Sequence, residues 1–198
     1  MSNFYSDVIQ KDPRFNSPNA CADLAMLEPG TRAAVEAIIA DAAKLGYTLR
    51  PVETYRSVAR QQHFYRIGFT KLKNVGCHHW GLACDLAMVR DGKDDPKGED
   101  YLFLRHLAES HGMISGCDWA RPDLPHSFRD YDHIQRCSMA KQDALFAGEW
   151  YPDANYNAFT DSGRYVPTAI NAPLVVPYDV AFANPNTAIA QQQSHKLV

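Results

Sequence analysis

Apolar residues recur with a helical period over Thr31–Leu45, where Val35, Ile38, Ile39, Ala42 and Leu45 share one face and Gly46 follows as a C-terminal cap. The period then changes. Tyr47–Tyr55 is rich in β-branched and aromatic residues and predicts a strand. Ser57 is placed to cap a second helix running to about Ile67, closed by Gly68. Gly81–Val89 predicts a second strand with two unlike faces: Leu82, Cys84 and Leu86 form an apolar side, whereas Ala83, Asp85 and Ala87 set one carboxylate between two small residues. Asp91–Gly98 is a polar loop, and Glu99–Ser110 a third amphipathic helix stopped by Gly112. Short strands are predicted at Met113–Trp119 and His133–Cys137. Helices and strands mix without a regular βαβ rhythm, so the pattern predicts an α+β fold.

The chain has 198 residues, 45% hydrophobic and 22% charged, enough for one domain with its own core. That domain is expected over 28–150, with 1–27 as an extension packed on it. Residues 151–198 differ: their only charged side chains are Asp153, Asp161, Arg164, Asp179 and Lys196, and no helical period appears. They are expected to be a tail, extended or partly disordered. A net charge of −3 argues against a general nucleic-acid or anionic-membrane binder, and no apolar run approaches the ~20 residues of a membrane span. The N-terminal stretch lacks a basic head followed by an apolar run. Five cysteines, an odd number without a C-x-x-C, read as free buried thiols in a reducing compartment. The expected location is therefore the cytoplasm.

Candidate chemistry gathers in two places. His78 and His79 precede the strand that carries Asp85, and His133 and Gln135 share a face of the last short strand. A His, an Asp and a distant second His suit a zinc ion whose fourth position is left for water. Such an ion lowers the pKa of its water towards ~7 and polarises a carbonyl, and a nearby carboxylate can shuttle the proton. Three other readings compete. Asp and His at strand ends often serve as capping or hydrogen-bonding groups. A structural zinc on Cys77, Cys84, Cys117 and Cys137 would lack close paired spacing. A thiol nucleophile at Cys77 beside His78 or His79 would need chain neighbours to face each other.

The segment His78-His79-Trp80-Gly81-Leu82-Ala83-Cys84-Asp85-Leu86 resembles the H-x-x-G-x-A-x-D-L signature of zinc peptidases that act on bacterial cell-wall peptides, among them D-alanyl-D-alanine carboxypeptidases and phage L-alanyl-D-glutamate endopeptidases. Upstream, Thr54-Tyr55-Arg56-Ser57 with Gln61 and Tyr65 resembles that family's Y-R-S-x-x-x-Q segment. Downstream, Asp130-Tyr131-Asp132-His133-Ile134-Gln135 resembles its D-x-x-H-[FI]-[QE] segment. The resemblance spans about residues 30–140 and implies a Hedgehog/D,D-peptidase-like fold, a small antiparallel sheet with flanking helices. It implies zinc ligands His78, Asp85 and His133, with His79 a neighbour lining the pocket or bonding locally. It implies Asp130 as general base, with Asp132 expected to face away, and Arg56 as the arginine that meets a substrate carboxylate or carbonyl oxygen. Trp119 resembles a family tryptophan that walls the substrate cleft. Gly76 and Asp132 depart from the family pattern, which often has Ser and Pro there.

The function expected from this resemblance is zinc-dependent hydrolysis of short peptidoglycan-type peptides, as a D,D-carboxypeptidase or an L-Ala-D-Glu endopeptidase, with a peptidoglycan peptide or muropeptide as partner. Holin-dependent release would bring a phage or prophage lysin of this kind to its substrate. The rival is a non-catalytic zinc-containing module of the same fold that binds a peptide or partner. The complete set of ligands plus Asp130 favours the enzyme, because a binder needs no proton-shuttling carboxylate.

Overall fold

The computed structural model describes residues 3–95, 101–119 and 129–163. The elements in chain order are α1 (Phe4–Asp7), α2 (Pro29–Lys44), β1 (Thr48–Glu53), α3 (Val58–Arg66), β2 (Ala83–Arg90), β3 (Lys93–Asp95), α4 (Leu102–Ser110), β4 (Ile114–Ser115), β5 (His133–Gln135), α5 (Gln142–Phe146) and α6 (Ala158–Asp161). Short 3-10 turns join several of them, including Cys77–Trp80 and Gly116–Asp118. The expected α+β class, with a small antiparallel sheet and flanking helices, holds.

Two helix starts follow the local chemistry closely. Glu28 accepts from the Thr31 amide and Pro29 opens α2, while Ser57 caps α3 through the Arg60 amide. Every strand pair described is antiparallel: β1, β2, β5 and β4 lie in that order, and β3 pairs with the far end of β2. Leu86, Met88 and Cys84 of β2 are fully buried with Ile134 of β5 and Leu104 of α4. The opposite face of β2 carries Asp85. Between Pro51 and Glu53 the register of β1 slips by one residue at Val52, so Glu53 rather than Val52 stands opposite Asp85.

Three expectations are corrected. The polar loop at 91–98 begins as a hairpin: Asp91 and Gly92 both take positive φ, and Lys93–Asp95 returns as β3. Its remainder, 96–100, lies outside the described residues. The strand expected over Met113–Trp119 is only Ile114–Ser115, because the Ser115 side chain accepts from the Cys117 amide and starts a 3-10 turn. The last strand ends at Gln135 rather than Cys137.

Before α2, Ile9, Cys21 and Met26 pack with Tyr55, and Tyr55 donates to the Phe15 carbonyl at 2.7 Å. Of the stretch expected as a tail, 151–163 is described. Tyr151 donates to the Trp80 carbonyl at 2.8 Å, and Phe159 is buried at the start of α6. The remainder, 164–198, lies outside the described residues.

A buried ion pair ties that stretch to the body. Arg136 donates to Glu28 at 2.9 Å and to the carbonyls of Asp153 and Ala154. Both side chains are under one-tenth exposed. Gly30 leaves room for the guanidinium, since a Cβ there would lie 2.8 Å from Arg136 Nη1. Arg136→Ala leaves the buried Glu28 carboxylate without its cation, held only by Thr31, and a loss of about 3–5 kcal/mol is expected. Urea unfolding followed by circular dichroism measures it; an unchanged midpoint would refute this role.

Candidate metal centre

Three elements bring the site together. Cys77–Trp80 forms a 3-10 turn closed by Gly81, whose φ of +69° suits glycine and whose Cβ would sit 2.7 Å from the Met26 carbonyl oxygen. This turn delivers His78. Asp85 lies on β2, and His133, the first residue of β5, is its direct cross-strand partner. Directly opposed residues share a sheet face. The row Glu53, Asp85, His133 therefore crosses three strands on one side.

His78 Nε2 lies 3.1 Å from Asp85 Oδ1 and 3.2 Å from His133 Nδ1, and His133 Nδ1 lies 2.9 Å from Asp85 Oδ1. Ligand atoms about 2.0–2.1 Å from a tetrahedral zinc stand roughly 3.3 Å from one another, so the spacing fits such an ion. Both rings are buried. Among the described residues, this is the one group of three or more His, Cys, Asp or Glu side chains close enough to hold a metal.

Proton accounting points the same way. Gln135 donates its Nε2 hydrogen to the Cys137 carbonyl, which turns Oε1 towards His133 Nε2 at 3.1 Å. His133 Nε2 therefore carries a hydrogen, and the neutral ring presents the Nδ1 lone pair to Asp85 Oδ1. Two electron-rich atoms at 2.9 Å need a cation between them. In the metal-free protein a proton serves: burial works against it, but the hydrogen bond and charge of Asp85 outweigh burial and raise the His133 pKa. His78 differs; burial lowers its pKa despite Asp85, and its buried Nδ1 has no hydrogen-bond partner. Asp85 is pushed up by burial, yet the two histidines win and hold it well below the usual carboxylate range. A carboxylate between two imidazole nitrogens is a donor set suited to zinc.

Arg56 stands behind Asp85. Its Nη2 donates to Asp85 Oδ2 at 3.2 Å and to Glu53 Oε2 at 2.6 Å, its Nε to Glu53 Oε2 at 3.0 Å, and its Nη1 to Gln61 Oε1 at 3.4 Å. Of five guanidinium hydrogens, four are engaged. Gln61 also donates to the Leu72 carbonyl and to Thr70, pinning the loop that leads into the metal turn. Trp119 lies beside His133, ring centroids 4.8 Å apart.

His79 is not brought into the cluster. Its Nδ1 meets the Arg56 carbonyl at 3.3 Å and its Nε2 meets the Tyr5 hydroxyl at 2.8 Å, amid Phe15, Tyr55 and Trp80. With both nitrogens occupied and the ring buried, it joins the N-terminal segment to the Arg56 turn instead of lining a pocket.

Asp130 is half-buried on the turn before β5, its amide donating to the Gly116 carbonyl at 3.2 Å. Its charge acts on both Arg56 and His133. Asp132 meets Asp130 side chain to side chain, and its charge also bears on Cys84, on the face of β2 opposite Asp85. Burial, then the charges of Asp85 and Asp130, push Asp132 up to about 8. Two carboxyls in contact cannot both be charged cheaply, so the pair shares a proton near neutral pH. Asp130 also abuts Gly116, where a Cβ would lie 2.3 Å from the Asp130 carbonyl oxygen. Gly116→Ala must shift that backbone. On the peptidase reading below, it is expected to lower turnover at least tenfold while the fold, read by circular dichroism, persists; full turnover would show that Asp130 tolerates the shift.

All five cysteines are free and buried. The Cys77 thiol packs among Trp80, Leu82, Ala83 and Leu145, and its contact with Cys137, then burial, raise its pKa well above the thiol norm. That opposes a thiolate nucleophile. His63, His106 and His111 lie outside the cluster; His126 and His195 fall outside the described residues.

Over 143 residues the chain is 29% identical to the peptidoglycan L-alanyl-D-glutamate endopeptidase CwlK of Bacillus subtilis, a match covering 61% of this chain and 81% of that one. The resemblance to the cell-wall peptidases holds. No family model matches the sequence. Among solved structures, the L-Ala D-Glu endopeptidase ChiX of Serratia marcescens aligns with a TM-score of 0.46 at 18% identity, covering 60% of this chain and 90% of that one. The LD-carboxypeptidase LdcB aligns with a TM-score of 0.46 at 19% identity, covering 55% and 58%. Among the described residues, no helix is long and apolar enough to cross a membrane.

Proposed function

We propose that this chain is a zinc-dependent peptidase of the Hedgehog/D,D-peptidase fold that hydrolyses short peptidoglycan-type peptides, of the L-Ala-D-Glu endopeptidase or D,D-carboxypeptidase type. The observation that carries the reading is the meeting of His78 Nε2, Asp85 Oδ1 and His133 Nδ1 in an arrangement that needs a cation. Similarity to an L-alanyl-D-glutamate endopeptidase supports the substrate class and favours the endopeptidase type.

His78, Asp85 and His133 would hold the zinc. When bound, zinc supplies a Lewis acid that polarises a carbonyl and lowers the pKa of its water towards ~7. Asp130 takes the proton of the attacking water and returns it to the leaving amine. Asp132 steadies Asp130 through their hydrogen bond. Arg56 has one guanidinium hydrogen left for a substrate oxygen, and Trp119 walls the cleft beside His133.

The test is digestion of defined muropeptides by zinc-loaded protein, with products identified by mass spectrometry. Release of the L-alanine end from a D-glutamate-containing remainder is expected, lost on chelation and restored by zinc. Intact muropeptides with zinc bound would refute the reading; release of a terminal D-residue would assign the carboxypeptidase type.

A further inference from the structure

The register slip in β1 places a second buried carboxylate beside the metal site. Without the extra residue at Val52, Glu53 would pair with Cys84 and point to the core face; with it, Glu53 stands opposite Asp85. Two carboxylates directly opposed across strands repel. Here Arg56 lies between them, and Arg60 takes the outer oxygen of Glu53. The Glu53 side chain is only 6% exposed. A cross-strand carboxylate so placed, satisfied by two arginines, is more than a surface ion pair.

The contacts divide the guanidinium of Arg56. Glu53 holds Nε and one Nη2 hydrogen, and Gln61 takes Nη1, so only one hydrogen reaches Asp85, at Oδ2. Asp85 Oδ1 is left to face His78 and His133. An arginine released from Glu53 would take both oxygens of Asp85, since a forked bidentate pair is its preferred geometry.

We propose that Glu53 is a positioning residue of the metal site: it restrains Arg56 so that Asp85 offers Oδ1 to the metal and keeps Oδ2 for the arginine. This rests on the zinc reading above and adds to it a residue outside the three sequence motifs. Outer partners of metal ligands act in this way, and their loss costs about 10–100-fold in affinity.

The test measures zinc affinity of the full chain by competition with a chromophoric chelator, alongside circular dichroism to verify folding. E53Q is expected to weaken zinc binding by about 10–100-fold. The double variant E53Q/R56Q, which removes the arginine that would otherwise capture Asp85, is expected to recover most of that loss. A merely structural role predicts no recovery, whereas a long-range charge role, which the charge-balanced double variant would also repair, predicts wild-type affinity in E53D, whose charge is kept and whose reach is lost. Wild-type affinity in E53Q, or a double variant as weak as E53Q, overturns the proposal. Where E53Q does not fold, E53D with E53D/R56Q gives the same two outcomes, because the shorter side chain keeps its charge but loses its reach. Wild-type protein that binds no zinc would sink the metal reading itself, whereas zinc-binding wild type with unaffected variants sinks only the role of Glu53.

Discussion

Replacing Asp130 with alanine is expected to lower muropeptide hydrolysis by about 10²–10⁴-fold while zinc stays bound, the range over which a positioned general base acts. Asp130 is not one of the three clustered donors, so its removal spares them. It lies within electrostatic reach of His133 and Arg56, and its side chain meets that of Asp132. Two carboxyls so close cannot both be charged cheaply. Burial and its acidic neighbours push Asp132 up to about 8, so the pair holds one proton between them near neutral pH. Asp132→Asn preserves a donor to Asp130 and is expected to cost far less. Turnover with defined muropeptides, paired with metal content, reads both. An active D130A would remove Asp130 from the mechanism, and a D132N as inactive as D130A would make Asp132 a direct participant.

The second large effect is expected from Asp85→Asn. Asp85 Oδ1 touches both imidazole nitrogens, and the carboxylate is held well below the usual range by them. A neutral amide removes a ligand charge, so zinc affinity should fall beyond the roughly 10–100-fold lost with an outer partner. The metal-free protein should change too. His133 has a raised pKa because Asp85 favours its proton over the cost of burial. That contribution to stability is present below the ordinary value of 6.5 and lost as pH rises through the raised folded value. In D85N the raised value should drop, which an NMR titration of the His133 ring detects. An unmoved titration would show that Asp85 is not what favours the proton.

The proposed ligand trio was legible through the family motifs, which alone chose His78 over His79, and local rules suit each position. His78 is on a glycine-closed turn, Asp85 alternates with core residues along a regular strand, and His133 opens a strand paired to it. Glu53 was not legible: strand parity assumes unbroken alternation, and the extra residue at Val52 reverses it. The contact of Asp132 with Asp130 was hidden for a related reason. The strand begins only at His133, so alternation says nothing about a turn, and the chain folds Asp132 against Asp130. His79 was expected to line the pocket or bond locally through its adjacency to His78, but the partners that claim it, Tyr5 and the Arg56 carbonyl, are remote in sequence. Asp91-Gly92 carried a recognisable hairpin signal, and short strand length hid it.

On the zinc reading, two rings and one carboxylate surround a single metal ion. Crystals grown with zinc, measured at the zinc absorption edge, test it directly. The account predicts one anomalous peak about 2.0–2.2 Å from His78 Nε2, Asp85 Oδ1 and His133 Nδ1. A peak held by cysteine sulfurs, or none near these atoms at saturating zinc, would contradict it.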